Sequence, residues 1–173
     1  MKFEILGWPT ESPTLDLDHR DFSYAGKFVM SNTGKAICTE NESIIGAIAF
    51  NEDRTDTDVL WFRYITVHTE YQGKEIGPKL ARYTAKRAIN ASYRAIKIAV
   101  NNPFAYQALY KAGFSFTGEQ TGIAELILQY PSATDETYQS GLSIFEQRDG
   151  LTPKEKTFIQ QKQNQEPPQT VSI

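Results

Sequence analysis

Val67-His68-Thr69-Glu70-Tyr71-Gln72-Gly73-Lys74-Glu75-Ile76-Gly77-Pro78-Lys79-Leu80 is the stretch whose reading decides the fold. Before it, Val59 to His68 is rich in β-branched and aromatic residues and is predicted as a strand. After it, Pro78 to Tyr93 places Leu80, Tyr83, Ala85, Ala88 and Ile89 between Lys79, Arg82, Lys86 and Arg87, the pattern of an amphipathic helix. Gly77 is predicted at the N-cap and Pro78 at the first helical position, where a missing N–H costs nothing. A strand, a Gly-containing turn and a helix start in succession aim unpaired amides and the positive end of the helix dipole at one point. An anion such as a pyrophosphate is stabilised there. Gly73 and Gly77 let the backbone approach it, and Lys74 and Lys79 add charge at the rim. The same junction also serves as a plain connection in many folds.

Working outward, Lys2 to Trp8 alternates like a strand, and Thr10 to Tyr24 reads as a charged loop. Lys27 to Ser31 is predicted as a strand paired through a Ser31-Asn32-Thr33-Gly34 turn with Lys35 to Thr39. Ser43 to Phe50 is predicted as a buried strand, and Ala95 to Val100 as a strand. Pro103 to Ala112 is a helix ended by Gly113, and Phe114 to Thr117 and Ile123 to Tyr130 close the series as strands. This order predicts an α/β (α+β) layered fold. Beyond Pro131, Thr137 to Arg148 is predicted to add a strand. Thr152-Pro153-Lys154-Glu155 is a capping box opening a short helix through Phe158 and Ile159. The expected division is 1–130 for the main domain, 131–160 for a C-terminal extension, and 161–173 for a polar tail without fixed structure.

Composition narrows the function. The chain has 173 residues and a net charge of -3, so no basic footprint points to nucleic acid or an anionic membrane. No apolar run reaches the roughly 20 residues that span a bilayer. Cys38 is the sole cysteine and His19 and His68 the only histidines, which excludes an intramolecular disulfide and a Cys-rich zinc site. A soluble protein of the cytoplasm, holding no metal, is expected. Cys38 itself reads as a small hydrophobe on a strand.

Tyr71-Gln72-Gly73-Lys74-Glu75-Ile76-Gly77 resembles the acyl-CoA signature of the GNAT N-acetyltransferase superfamily, Gln/Arg-x-x-Gly-x-Gly/Ala, with Val67 five residues before Gln72. Asn102, Ala105, Gly113 and Phe114 match that family's later segment, in which an Asn leads a helix ending in Gly-Phe. The resemblance covers about Ser43 to Tyr130. It implies a mixed sheet of six to seven strands, splayed at the centre and flanked by helices. It further implies that acetyl-CoA lies along Ile65 and Val67, with its pyrophosphate on Gln72, Gly73, Lys74, Ile76 and Gly77 and with Asn102 beside it. A primary amine, on a small molecule or a peptide, would attack the thioester directly, and the enzyme would position the reactants and manage the proton. Cys38 has no implied role in that scheme.

Two positions depart from the family pattern. Its first signature glycine is Glu75 here, expected to point to solvent. The family's tyrosine acid, seven residues after the Asn, is Leu109, with Tyr110 one residue later and rotated by about 100°. Tyr110 and Asn102 are the catalytic candidates; Tyr106 is another, and a packed aromatic is the alternative for each tyrosine. For a general base the sequence offers Glu52, Asp53, His68, Glu119 and Glu125 without deciding, and His68 also reads as a solvated surface histidine. Trp61, Phe62 and Tyr64 read as core and cleft wall. A non-catalytic acyl-CoA sensor is the rival reading, and a nucleotide binder is disfavoured because neither a P-loop ending nor GxGxxG is present. The C-terminal extension is expected to cap the cleft or support a homodimer.

Overall fold

The computed structural model describes residues 1–133 and 135–173. Its seven strands follow the order β1-β2-β3-β4-β5-β7-β6 in one sheet, and the helices flank it, as the α/β reading expected. The chain divides into two compact units, residues 1–96 with 172–173, and residues 97–171.

In the first unit β1 (Lys2–Gly7), β2 (Gly34–Glu40), β3 (Ser43–Glu52) and β4 (Val59–Val67) pair in sequence, all antiparallel. One face carries α2 (Ile76–Asn90), which buries Ile76, Leu80, Ala81, Thr84, Ala85 and Ala88. Ile76, Leu80, Thr84 and Ala88 recur every four residues, with Ala81 and Ala85 beside them, and so form one stripe. Gly46 on β3 makes the docking close: a Cβ there would lie 3.2 Å from Ile76 Cγ2. The other face is covered by the 13–33 segment, where Leu17, Phe22, Ala25 and Phe28 pack on Ile37, Ala47 and Ala49. Lys35 fastens that segment. Its buried Nζ donates to the carbonyls of Pro13 at 2.7 Å and Met30 at 2.8 Å, and to Thr33 Oγ1 at 2.7 Å.

Two expectations are corrected here. Lys27 to Ser31 is not a strand; Ala25–Phe28 is a short helix, α1. Only Phe28 of that apolar run enters the core, while Val29 and Met30 stay exposed, so neither face of a sheet claims the segment. α2 begins at Ile76, not Pro78: Glu75 is the N-cap and Pro78 the third helical residue. A proline is accommodated anywhere in the first turn because those N–H groups have no intrahelical partner.

β5 (Ala95–Val100) leads from the first unit into the second. There α3 (Pro103–Lys111) is followed by the antiparallel pair β6 (Ser115–Gln120) and β7 (Leu126–Tyr130), then α4 (Tyr138–Glu146) and α5 (Pro153–Lys162). The strand expected over 137–148 is the helix α4. Tyr138, Leu142 and Phe145 recur at helical spacing and are buried together, and Thr137 caps the helix by accepting from the Ser140 amide. Gly141, which weakens a helix in isolation, is required by packing, since a Cβ there would lie 2.2 Å from the Tyr106 hydroxyl. The Thr152–Glu155 capping box forms as read from the sequence. Of the tail, the first two residues complete α5, and the Val171 amide donates to the Lys111 carbonyl at 2.8 Å.

Candidate functional site

The junction that decides the fold forms a loop with uncommitted amides. After β4, residues Thr69–Tyr71 make one 3-10 turn, whose amides are satisfied: Thr69 donates to the Asp21 carbonyl, Glu70 to His68 Nδ1 and Tyr71 to the His68 carbonyl. Beyond Tyr71 the pattern stops. The amides of Gln72, Gly73, Lys74, Ile76 and Gly77 have no acceptor among the described residues. The side chain of Glu75, the N-cap residue, makes no capping hydrogen bond to α2. Glu75 sits in the left-handed region at φ 62°, where a residue with a side chain is strained, and is exposed as expected. Gly73 takes φ 82°. The Gln72 side chain reaches back toward the Val67 carbonyl, at 3.5 Å. A Cβ on Gly77 would lie 3.7 Å from Val67 Cγ2, so the helix start lies against the end of β4. Ile65, Val67 and Gln72 to Gly77 are thus brought together within one unit. Between Ile65 and Val67, Thr66 carries a buried Oγ1 that has no hydrogen-bond partner among the described residues.

His68 is not a freely solvated histidine. Its Nδ1 accepts from Glu70, its Nε2 lies 3.6 Å from Asp21 Oδ2, and Phe22 and Tyr71 meet the ring edge-on. It braces the turn. Cys38 is fully buried, and burial pushes its thiol up to about 11, so it is an inert packing group.

A second feature was not visible in the sequence. The β3–β4 register runs Ala49↔Tyr64 and then Phe50↔Phe62, which leaves Arg63 as an extra residue, a β-bulge. In an unbroken strand residues 63 and 64 would face opposite sides; here both line a cavity of about 710 Å³, together with Trp61, Lys27, Glu52 and Asp53. The cavity lies wholly in the first unit. Trp61 Nε1 donates to Asp53 Oδ2 at 2.7 Å, and with the Thr55 amide and hydroxyl it holds the Asp53 carboxyl well below the usual carboxylate range. Tyr93 donates to Glu52 at 3.0 Å; burial, then this bond, push the Tyr93 phenol up to about 12. Trp61 and Tyr64 are therefore cavity wall, and Phe62 is core. Only the strand pairing reveals the bulge, and no residue in the Val59 to Val67 run signals it.

In the second unit Asn102 is the N-cap of α3, its Oδ1 accepting from the Ala105 amide at 2.8 Å. Tyr110 is 7% exposed, and its hydroxyl accepts from the buried Phe116 amide at 3.0 Å. Its ring lies 4.9 Å from those of both Tyr106 and Tyr138. Tyr106 donates to the Tyr138 carbonyl at 3.0 Å, and burial drives its phenol far above the usual range. Leu109, at the position where the resemblance expects a tyrosine, is buried. Glu119 stands with Lys97 and Thr117 around a cavity of about 170 Å³, and Glu125 closes a turn with Thr121.

Among the described residues no group of three metal-binding side chains occurs, and no helix is long and apolar enough to cross a membrane.

Comparison with known proteins gives one family. The model of the Acetyltransferase (GNAT) family matches residues 3–114. No curated protein matches the chain. Among solved structures, a Bacillus subtilis acetyltransferase in complex with CoA superposes with a TM-score of 0.57 at 14% identity, over 74% of this chain and 96% of that one. IAA acetyltransferase from Bacillus cereus gives 0.52 at 20% identity, over 74% and 97%. At these identities the likeness is one of fold.

Proposed function

The chain belongs to the GNAT acetyltransferase family, and from that premise we propose that it transfers an acetyl group from acetyl-CoA to a primary amine by direct attack in a ternary complex. The observation that carries the proposal is the set of uncommitted amides from Gln72 to Gly77 at the start of α2. They form the kind of cradle that a pyrophosphate completes. Lys74 adds charge beside them. The unpartnered Thr66 hydroxyl lends support, because a ligand along β4 would end its isolation.

On this reading the backbone of Ile65 and Val67 aligns the pantetheine arm, and the amides of Gln72, Gly73, Lys74, Ile76 and Gly77 hold the diphosphate. Acetyl-CoA supplies the activated acyl group. The protein contributes position and a dry, oriented environment for the carbonyl. Asn102 acts by fixing the start of α3. Tyr110, on this reading, is a packing residue, buried with its ring against those of Tyr106 and Tyr138 and its oxygen accepting from the Phe116 amide, and the departing thiolate takes its proton from solvent. The second reading, an acyl-CoA binder that does not turn it over, is favoured by Leu109 at the acid position and by the strained Glu75. Release of CoA thiol in the presence of amines separates the two.

Calorimetric titration with acetyl-CoA and CoA tests the site itself. Micromolar binding, about -8 kcal/mol, that Gly77→Trp removes is the expected result, because the indole would fill the space between α2 and Val67. Absence of binding to the unmodified protein at millimolar ligand would refute the proposal.

A further inference from the structure

The cavity beside the β4 bulge carries charge that the acetyl-transfer reading leaves unused. Lys27, Arg54 and Arg63 line it, against Glu52 and Asp53, which leaves one positive charge in excess. The carboxylates are engaged: Asp53 accepts from Trp61 and Thr55, and Glu52 from Tyr93. None of the three cations makes an ion pair among the described residues. Arg63 is the most constrained of them. Its Nε donates to Asn51 Oδ1 at 2.7 Å and its guanidinium lies 5.2 Å from the Trp61 ring centroid. Both contacts fix the plane of the fork, while the terminal nitrogens keep their donors. A guanidinium so held presents parallel N–H groups suited to a carboxylate or phosphate oxygen pair. A single excess charge matches a carboxylate better than a dianionic phosphate. The cavity volume suits a small organic ligand, and Arg63 lies two residues, about 7 Å of strand, before Ile65.

We propose that this cavity is the acceptor site and that it selects amines bearing a carboxylate, amino acids or short peptides with a free C-terminus, which Arg63 anchors. The inference rests on the acetyltransferase reading for what happens to the amine, but not for the binding of the carboxylate.

Two measurements test it. In the first, CoA release is followed with matched pairs: phenylalanine against phenylalaninamide, alanyl-alanine against its amide, and O-phosphoethanolamine against ethanolamine. In the second, the indole N–H resonances of the protein without CoA are recorded while the same compounds are added, with Trp61→Phe identifying the Trp61 signal. The expected result is a preference of about tenfold or more in kcat/KM for each acid over its amide, in line with one charge-assisted pair. That preference should reside in KM and collapse toward unity in Arg63→Gln. The Trp61 resonance, and not that of Trp8, should move with the acids. Lys27→Met, at a second cation of the wall, should reduce the preference in the same direction. Equal use of acid and amide, an acid preference that survives Arg63→Gln, or phosphoethanolamine outcompeting every carboxylate would each overturn the inference and leave the acetyltransferase reading intact. Without turnover of any amine, a Trp61 shift with acids that Arg63→Gln abolishes would uphold the carboxylate anchor at Arg63 and overturn both the catalytic reading and the cavity's role as acceptor site. No Trp61 shift at 10 mM acid (~ -3 kcal/mol or weaker) would overturn the inference.

Discussion

Tyr110→Phe separates packing from catalysis. The substitution removes one oxygen, the acceptor of the Phe116 amide at 3.0 Å, and leaves that N–H buried without a partner. The ring contacts with Tyr106 and Tyr138 persist, and Tyr106 keeps the Tyr138 carbonyl as its acceptor. An orphaned buried donor costs about 1–3 kcal/mol. Taking ~2 kcal/mol, a chain of 173 residues should lose roughly 4–8 °C in Tm. Acetyl transfer measured well below that temperature should stay within about threefold of the parent, because solvent protonates the thiolate with or without the phenol. The assay pairs differential scanning calorimetry with steady-state thiol release on the same preparation. A fall in kcat of about 100-fold, equivalent to ~2.7 kcal/mol on the barrier, with Tm unmoved, would refute the argument. It would make Tyr110 the acid, donating the proton that its bond from the Phe116 amide leaves uncommitted.

Glu75→Gly should act on both stability and binding. Glycine takes the φ of 62° without the side-chain penalty of the left-handed region, worth about 1–2 kcal/mol, and a carboxylate leaves the rim of the phosphate cradle. A severalfold lower Kd for CoA by calorimetry is expected, and an unchanged or higher Kd would contradict the cradle. Alkaline pH should destabilise the chain. The folded state holds the Cys38 proton up to about 11, so that contribution is full below the ordinary thiol value and is lost as pH climbs from there through about 11. Tyr93 and Tyr138, each raised to about 12, extend the loss in the same direction. Cys38→Ala should flatten the first part of the pH–stability curve, and in the parent the thiol should resist alkylation at neutral pH until denaturant is added.

What the sequence determined by itself is local. The strand over Val59 to Val67, the apolar stripe of α2, the Asn102 and Thr152 caps and the two-motif resemblance all depend on residues within a turn or two of one another, where propensity and capping operate. They sufficed for the fold class and for locating the Gln72–Gly77 loop. Tertiary structure decided the rest. Lys27 to Ser31 has the composition of a strand, yet Phe28 finds the core at Ile37 and Ala47 while Val29 and Met30 find none, and a helical turn results. Thr137 to Arg148 reads as a strand, yet Tyr138 to Glu146 is a helix whose Gly141 lies against the Tyr106 hydroxyl, a contact across 35 positions of sequence. Tyr110 stands one residue past the position at which the resemblance expects an acid; only the folded chain shows its hydroxyl accepting from the Phe116 amide and its ring packed against those of Tyr106 and Tyr138. The bulge that turns Arg63 and Tyr64 into one cavity wall is a property of the β3–β4 register, which pairs residues from different parts of the chain. Register and burial are set by non-local partners, and a linear sequence does not display which partners meet.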